Sequence, residues 1–169
     1  KKNESVYVMV DLNRLLIKTI NAVHLEGAGE IQKKFMLDES LPFVYCDPSR
    51  IDQVIMNVVT NAMQSVTEKK QQMSAEGKKY TGRIVVSSQK QAATALITIA
   101  DNGIGINPDI RRRIFDPFFS TKPAGQGTGL GLSVSHRIIE EHRGRIYFDS
   151  IDETTKFSIE LPLESAGTK

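Results

Sequence analysis

Asp47-Pro-Ser-Arg-Ile51-Asp-Gln-Val-Ile-Met-Asn57-Val-Val-Thr-Asn61-Ala62 is the stretch whose reading decides the fold. Asp47, Pro48 and Ser49 suit the cap and first turn of a helix. Ile51, Val54, Ile55, Val58, Val59, Ala62 and Val66 then recur over far more than one narrow stripe, so the helix is expected to be largely buried. Asn57 and Asn61 lie four residues apart and share one face of it. Amides in so apolar a helix are costly unless they are paired or bound to something. Either each bridges a neighbouring loop, or one of them supplies a neutral oxygen to a hard divalent cation such as magnesium.

Working outward, Asp11 can cap an earlier helix whose apolar positions are Leu12, Leu15, Leu16, Thr19, Ile20 and Val23, with Gly27-Ala-Gly29 ending it. Ile31 to Leu37 alternates as a strand, and Leu41 to Cys46 reads as a short edge element. After the asparagine helix, residues 68–82 turn polar, as a polar extension or a surface loop. Ile84–Ser88 and Ala95–Ala100 form a hairpin around a polar turn. Leu130 to His142 is helical again with Gly144 as its cap, and Arg145–Ser150 pairs with Lys156–Leu161. Three helices on a mixed sheet of about five strands predict an α+β fold, a two-layer α/β sandwich. One domain spans 1–169, with its core at about 8–163.

Two glycine motifs follow the asparagines. Asp101-Asn-Gly103-Ile-Gly105-Ile106 closes a strand, and its carboxylate can accept the exocyclic amino hydrogen of adenine, whereas guanine presents a carbonyl there. Gly103 and Gly105 would remove Cβ atoms that collide with a flat base, although an Asp-Asn-Gly turn alone has an ordinary Asx reading. Gly127-Thr128-Gly129-Leu130-Gly131-Leu132 enters a helix directly, so its backbone amides can cradle a polyphosphate. No Gly-x-x-x-x-Gly-Lys-[Ser/Thr] run occurs, which excludes a P-loop. Residues 107–127 between the motifs are rich in Gly, Pro and charge and are expected to form a lid. Phe115, Phe118 and Phe119 there need a hydrophobic landing place, and Lys122 can reach phosphates as a point charge. Arg111-Arg112-Arg113 is expected to be a solvated helix face.

With 22 basic and 20 acidic residues, the formal charge of +2 gives no case for nucleic acid as a partner. Cys46 is the sole cysteine, and His24, His136 and His142 lack metal-site spacing. No apolar run approaches the length of a membrane span.

The four motifs, in this order, resemble the N box (Asn57 to Asn61-Ala62), first glycine box (Asp101-x-Gly103-x-Gly105), F box (Phe115-x-Pro117-Phe118) and second glycine box (Gly127-x-Gly129-x-Gly131) of the catalytic domain of bacterial sensor histidine kinases. The lid and its Pro-Phe-Phe-Ser-Thr-Lys run look most like the nitrogen-regulatory type. The wider superfamily includes gyrase, Hsp90 and MutL. The resemblance implies the Bergerat fold, with ATP and magnesium as cofactors. It implies an ATP site of Asn57, Asn61, Asp101, Gly103, Gly105, Ile106, Phe115, Lys122, Thr128, Gly129, Leu130 and Gly131, with Asn61 on magnesium and Asn57 and Lys122 in catalysis. Where Asn57 stands, the gyrase-like members carry a glutamate that activates water; an amide cannot act as a general base. Transfer is therefore expected over hydrolysis, to a histidine on a separate dimerisation domain, with a response regulator downstream. The fragment is expected to be a cytoplasmic monomer that does not label itself, from a homodimeric parent whose membrane attachment is left open. A serine/threonine kinase of the same fold and a non-catalytic ATP-sensing module are the alternatives.

Overall fold

The computed structural model describes residues 5–122 and 127–163. The first strand, β1 (Val8–Val10), pairs antiparallel with β3 (Val44–Cys46) in a two-stranded ribbon of its own. The main sheet holds β2 (Ile31–Met36), β4 (Gly82–Lys90), β5 (Thr94–Asp101), β6 (Arg145–Ile151) and β7 (Thr154–Pro162) in the order β2-β4-β5-β7-β6. Only β2 and β4 run parallel, with Ile31 opposite Gly82; the other neighbours are antiparallel. Helix α2 (Pro48–Ala75) lies between α1 (Leu12–Ala22) and α3 (Gly131–Glu141) and packs on β4 and β5. The expected mixed five-stranded sheet beneath three helices is the architecture found.

Local chemistry explains the boundaries. Asp11 caps α1 by accepting from the Arg14 amide at 3.1 Å, and Asp47 caps α2 by accepting from Ser49 and Arg50 at 3.0 and 3.3 Å. Helix α1 stops at Ala22, before the glycines expected to end it, where the Lys33 ammonium donates to the free carbonyls of Ile20 and Val23. The polar stretch after Val66 is helix as far as Ala75 rather than loop. Glu68, Gln71, Gln72 and Ser74 face water, while Val66 and Met63 hold the preceding turn in the core. At the end of α3, Arg143 takes the left-handed position (φ 56°), and the Gly144 amide returns to Ile139 at 2.9 Å in a Schellman cap. Gly144 is needed for a different reason than the one the sequence suggested: a Cβ there would lie 2.2 Å from the Glu160 carbonyl oxygen. His142, buried in the same turn, donates from Nδ1 to Ile138 and accepts from the Asp47 amide at Nε2 (2.7 and 3.1 Å). This fixes the end of α3 to the start of α2.

The two-residue periodicity of β5 carries the fold into the site. Ala95, Ile97, Ile99 and Asp101 all point into the buried face. The last of these apolar positions is replaced by a carboxylate facing α2.

Candidate nucleotide site

A cleft of about 580 Å³ opens between α2, the end of β5, the lid and the start of α3. Asn61, Asp101, Gly105, Ile106, Lys122, Thr128, Gly129 and Gly131 line it. Thus residues from three of the four expected boxes, and the lid lysine, meet around one space. Asn57, Gly103, Phe115 and Leu130 do not line it.

The two asparagines divide their work. The Asn57 amide nitrogen donates to the Gly131 carbonyl at 3.0 Å and to Ser135 Oγ at 3.1 Å, holding the first turn of α3 against α2. Asn61, one turn further, lines the cleft, and no hydrogen bond among the described residues engages its side chain. Its carbonyl oxygen suits a hard cation that takes its remaining ligands from phosphate and water. Among the described residues no cluster of three His, Cys, Asp or Glu forms a ready-made metal cage, so a magnesium ion here would rest on Asn61 and on oxygens of its ligand.

Asp101 is 4% exposed, and burial pushes its carboxyl up to about 6 against the opposing pull of hydrogen bonds from the Gly103 amide and Ser65. The Gly103 amide donates to Asp101 Oδ1 at 2.9 Å, so the Asx turn and the buried carboxylate coexist. Asn102 ties the same loop to β4: its Oδ1 accepts from the Arg83 amide at 2.7 Å and from the Tyr80 hydroxyl at 3.0 Å. Apolar Ile106, Ile110, Ile114 and Phe157 share the cleft with the carboxylate, as a flat base would require.

The glycines act differently from the expectation. A Cβ on Gly103 would strike Ser65 Oγ at 2.1 Å and the Ser65 carbonyl carbon at 2.4 Å, so this glycine admits α2 rather than a base. Gly105 backs onto the Glu153 backbone, 3.1 Å from where its Cβ would be. Gly129 has φ +64°, and a Cβ there would lie 2.5 Å from the Phe118 carbonyl carbon, so lid backbone crosses directly over the second glycine box.

The lid is anchored along its first half. After a 3-10 turn at Pro108–Arg113, Phe115 packs on His136, Phe148 and Phe157 with centroids 5.3, 6.1 and 6.4 Å away. Phe119 lies under the Arg113 guanidinium at 4.6 Å, while Phe118 is 77% exposed with φ 63°. The arginine triplet is not simply a solvated face: Arg111 donates to the Ser150 and Ile106 carbonyls at 2.6 and 3.4 Å. Lys122 Nζ donates to Gln64 on α2. Residues 123–126 of the expected lid lie outside the described residues.

Sequence reading missed Gln64, Ser65 and Glu68, which line the cleft from α2, and Arg111 and Ser150 at the base of the lid. Ser65 had a legible signal, since it follows Asn57 and Asn61 at four-residue intervals on the same face.

Residues 46–165 match the family described as Histidine kinase-, DNA gyrase B-, and HSP90-like ATPase. The chain belongs to that family. Within it, the chain is similar to the ATP-binding catalytic domains of histidine kinases. Sensor histidine kinase ZraS of Escherichia coli O157:H7 is 35% identical over 156 residues, covering 91% of this chain and 31% of that protein. Sensory histidine kinase/phosphatase NtrB of Salmonella typhimurium is 29% identical, covering 96% and 46%. The chain therefore spans about a third to a half of these two relatives' length. Among solved structures, the nucleotide-free catalytic domain of histidine kinase ThkA superposes with a TM-score of 0.72 at 27% identity, covering 93% of this chain and 95% of that one. The mycobacterial sensor histidine kinase MprB gives a TM-score of 0.74 at 26% identity, with 93% and 97% covered.

Proposed function

We propose that this domain binds Mg-ATP in the cleft and donates the γ-phosphoryl group to a histidine on a separate helical dimerisation domain, from which it passes to an aspartate of a response regulator. The observation that carries the reading is the single cleft in which Asp101, Asn61, Lys122 and the glycine-built start of α3 all take part. Asp101 receives the adenine amino group. Asn61 would hold a magnesium ion through its amide oxygen, and that ion would supply charge neutralisation to the phosphates. Backbone amides at the start of α3 and the Lys122 ammonium face the phosphates. Asn57 fixes that helix start through Gly131 and Ser135, and so acts in catalysis by keeping the phosphate cradle in place.

In the transfer, an imidazole nitrogen of the acceptor bonds to the γ-phosphorus as the bond to the bridging oxygen breaks. ADP leaves, and the imidazole releases its N–H proton to solvent. The chain's own residues offer no general base at Asn57, which favours a supplied acceptor over water. His142 is a poor acceptor because both ring nitrogens are already engaged in the core.

Mixing the domain with its cognate dimerisation domain and γ-labelled ATP tests this. Acid-labile, base-stable label on the partner, with none on the domain itself, is the expected result. The linker that would raise effective concentration is absent in such a mixture, so the rate should be low. Label on serine or threonine would instead indicate a protein serine kinase, and tight ATP binding without transfer would indicate an ATP-sensing module.

A further inference from the structure

Gln64 lies on α2 one turn beyond Asn61 and two beyond Asn57, on the same face of the helix, and it lines the cleft. Lys122 reaches it from the exposed part of the lid and donates from Nζ to its Oε1. Two further contacts set the course of the lysine. Its backbone amide donates to Ser120 Oγ at 3.1 Å. Gly127 lies against its stem, where an added Cβ would come 3.0 Å from Lys122 Cδ and 3.2 Å from Ser120 Oγ. Lys122, Gly127, Thr128 and Gly129 all line the same side of the cleft as the start of α3.

The chemical nature of the residue that holds the ammonium matters. An ammonium can only donate, so its partner must offer an oxygen. A carboxylate at this position would accept, but would also neutralise the lysine and repel an incoming phosphate; a second cation would push the lysine away. The Gln64 amide accepts and carries no charge. It takes one of the three ammonium hydrogens and leaves two for other acceptors.

From this geometry we infer that Gln64 is a positioning residue for phosphate recognition: it holds the Lys122 ammonium against α2, with its charge intact, before nucleotide arrives. The inference rests on the phosphate-facing role proposed above for Lys122. A lysine on an exposed lid segment would otherwise be ordered by the ligand itself, which costs affinity through lost rotamer freedom. The same bond ties the lid to the helix that carries Asn61, so the lid cation and the metal-side amide are set by one rigid element.

The test uses Gln64→Met, which keeps the stem and loses the acceptor, Gln64→Glu, which keeps an acceptor and adds a charge, Lys122→Ala, and the double variant Gln64→Met/Lys122→Ala. NMR relaxation at Lys122 Cε in the nucleotide-free domain should report a restricted side chain in wild type and a freely moving one in Gln64→Met. By calorimetry, Gln64→Met should weaken Mg-AMP-PNP binding about three- to tenfold, the range for ordering one long side chain on binding. Added to Lys122→Ala, it should cause no further loss. Gln64→Glu should bind more weakly still at low salt, and the excess should shrink as salt rises. Adenosine, which has no phosphates, should bind all the variants alike. A Lys122 side chain equally free in wild type and Gln64→Met would overturn the inference. So would an equal loss from Gln64→Met with and without Lys122, or a matching loss for adenosine, because a purely structural role of Gln64 in α2 produces both. A wild-type domain that bound no Mg-AMP-PNP would instead remove the function proposed above, and the relaxation measurement would still decide whether Gln64 holds the lysine.

Discussion

Asp101 ends a row that otherwise reads Ala95, Ile97 and Ile99, so the β5 pattern delivers a carboxylate to a position where packing alone would favour an aliphatic side chain. Its folded-state pKa of about 6 lies above the ordinary 3.8. Between those values the unfolded chain releases a proton that the folded chain retains. The associated stability is therefore fully present below about 3.8 and lost as pH rises through about 6. Above that range the ionised group costs the fold on the order of 3 kcal/mol. Asp101→Asn keeps the shape and removes the charge. Without nucleotide, it should melt higher than wild type at pH 7.5, with the gap closing below pH 4; equal melting curves at both pH values would show the carboxylate to be well solvated. The same substitution should weaken Mg-ATP binding by about 1.5–3 kcal/mol, the range for a hydrogen bond to a charged partner, and reduce discrimination against Mg-GTP. Calorimetry with both nucleotides reads that loss, and equal wild-type affinities would remove the base-reading role. For Asn61→Ala, the expected loss falls on magnesium-dependent ATP binding more than on metal-free ATP. Unchanged magnesium dependence would leave Asn61 without a metal.

At the scale of elements, α2 supplies one wall of the cleft and its pitch dictates which residues reach it. Because Gly103 lets the Ser65 backbone approach β5 so closely, Gly103→Ala must separate the two elements. The substitution should destabilise the domain by about 1–3 kcal/mol, as overpacking does, and denaturant unfolding would measure it. A neutral result would mean that the loop can shift without moving the helix. Much of this level was legible in the chain: the Asp11 and Asp47 caps, the alternation in β2 and β5, and the two hairpins all carry local signals. The three-residue strand β1 was not, because it is too short for periodicity and exists through pairing with β3. Nor was the helical continuation to Ala75, where polar residues on a solvated helix resemble those of a loop. At the site, residues of three of the four boxes line one cleft, but the glycines within them meet neighbours the motifs did not indicate. Gly103 and Gly129 are required by Ser65 and Phe118, neighbours distant in sequence that no local pattern reveals.

Across the whole molecule, the lid contrasts with the sheet and helices that support it. Its first half is held by the Phe115 ring cluster and the Arg111 bonds to Ser150 and Ile106, whereas Phe118 reaches into solvent. Amide hydrogen exchange without nucleotide should accordingly be slow near Ile110–Phe115 and fast from Asp116 to Lys122, and a non-hydrolysable ATP analogue should slow the second segment. Uniformly slow exchange in both states would make the whole stretch a rigid loop.

The single parallel pairing of the sheet, β2 beside β4, bears on how the chain reaches its native state. The hairpins β4–β5 and β6–β7 close over short turns, but β2 cannot meet β4 until the intervening chain, with all of α2, has been drawn into place. Closing that long loop costs chain entropy before any compensating contact forms, and such pairings are slow. The two hairpins can thus form early, whereas joining them through β5–β7, across the lid and α3, and adding β2, across α2, both require long closures. Asn61 and Ser65 lie inside one of these long connections and Gly129 and Gly131 inside the other, so nucleotide-binding competence should emerge in a refolding reaction only after both have closed.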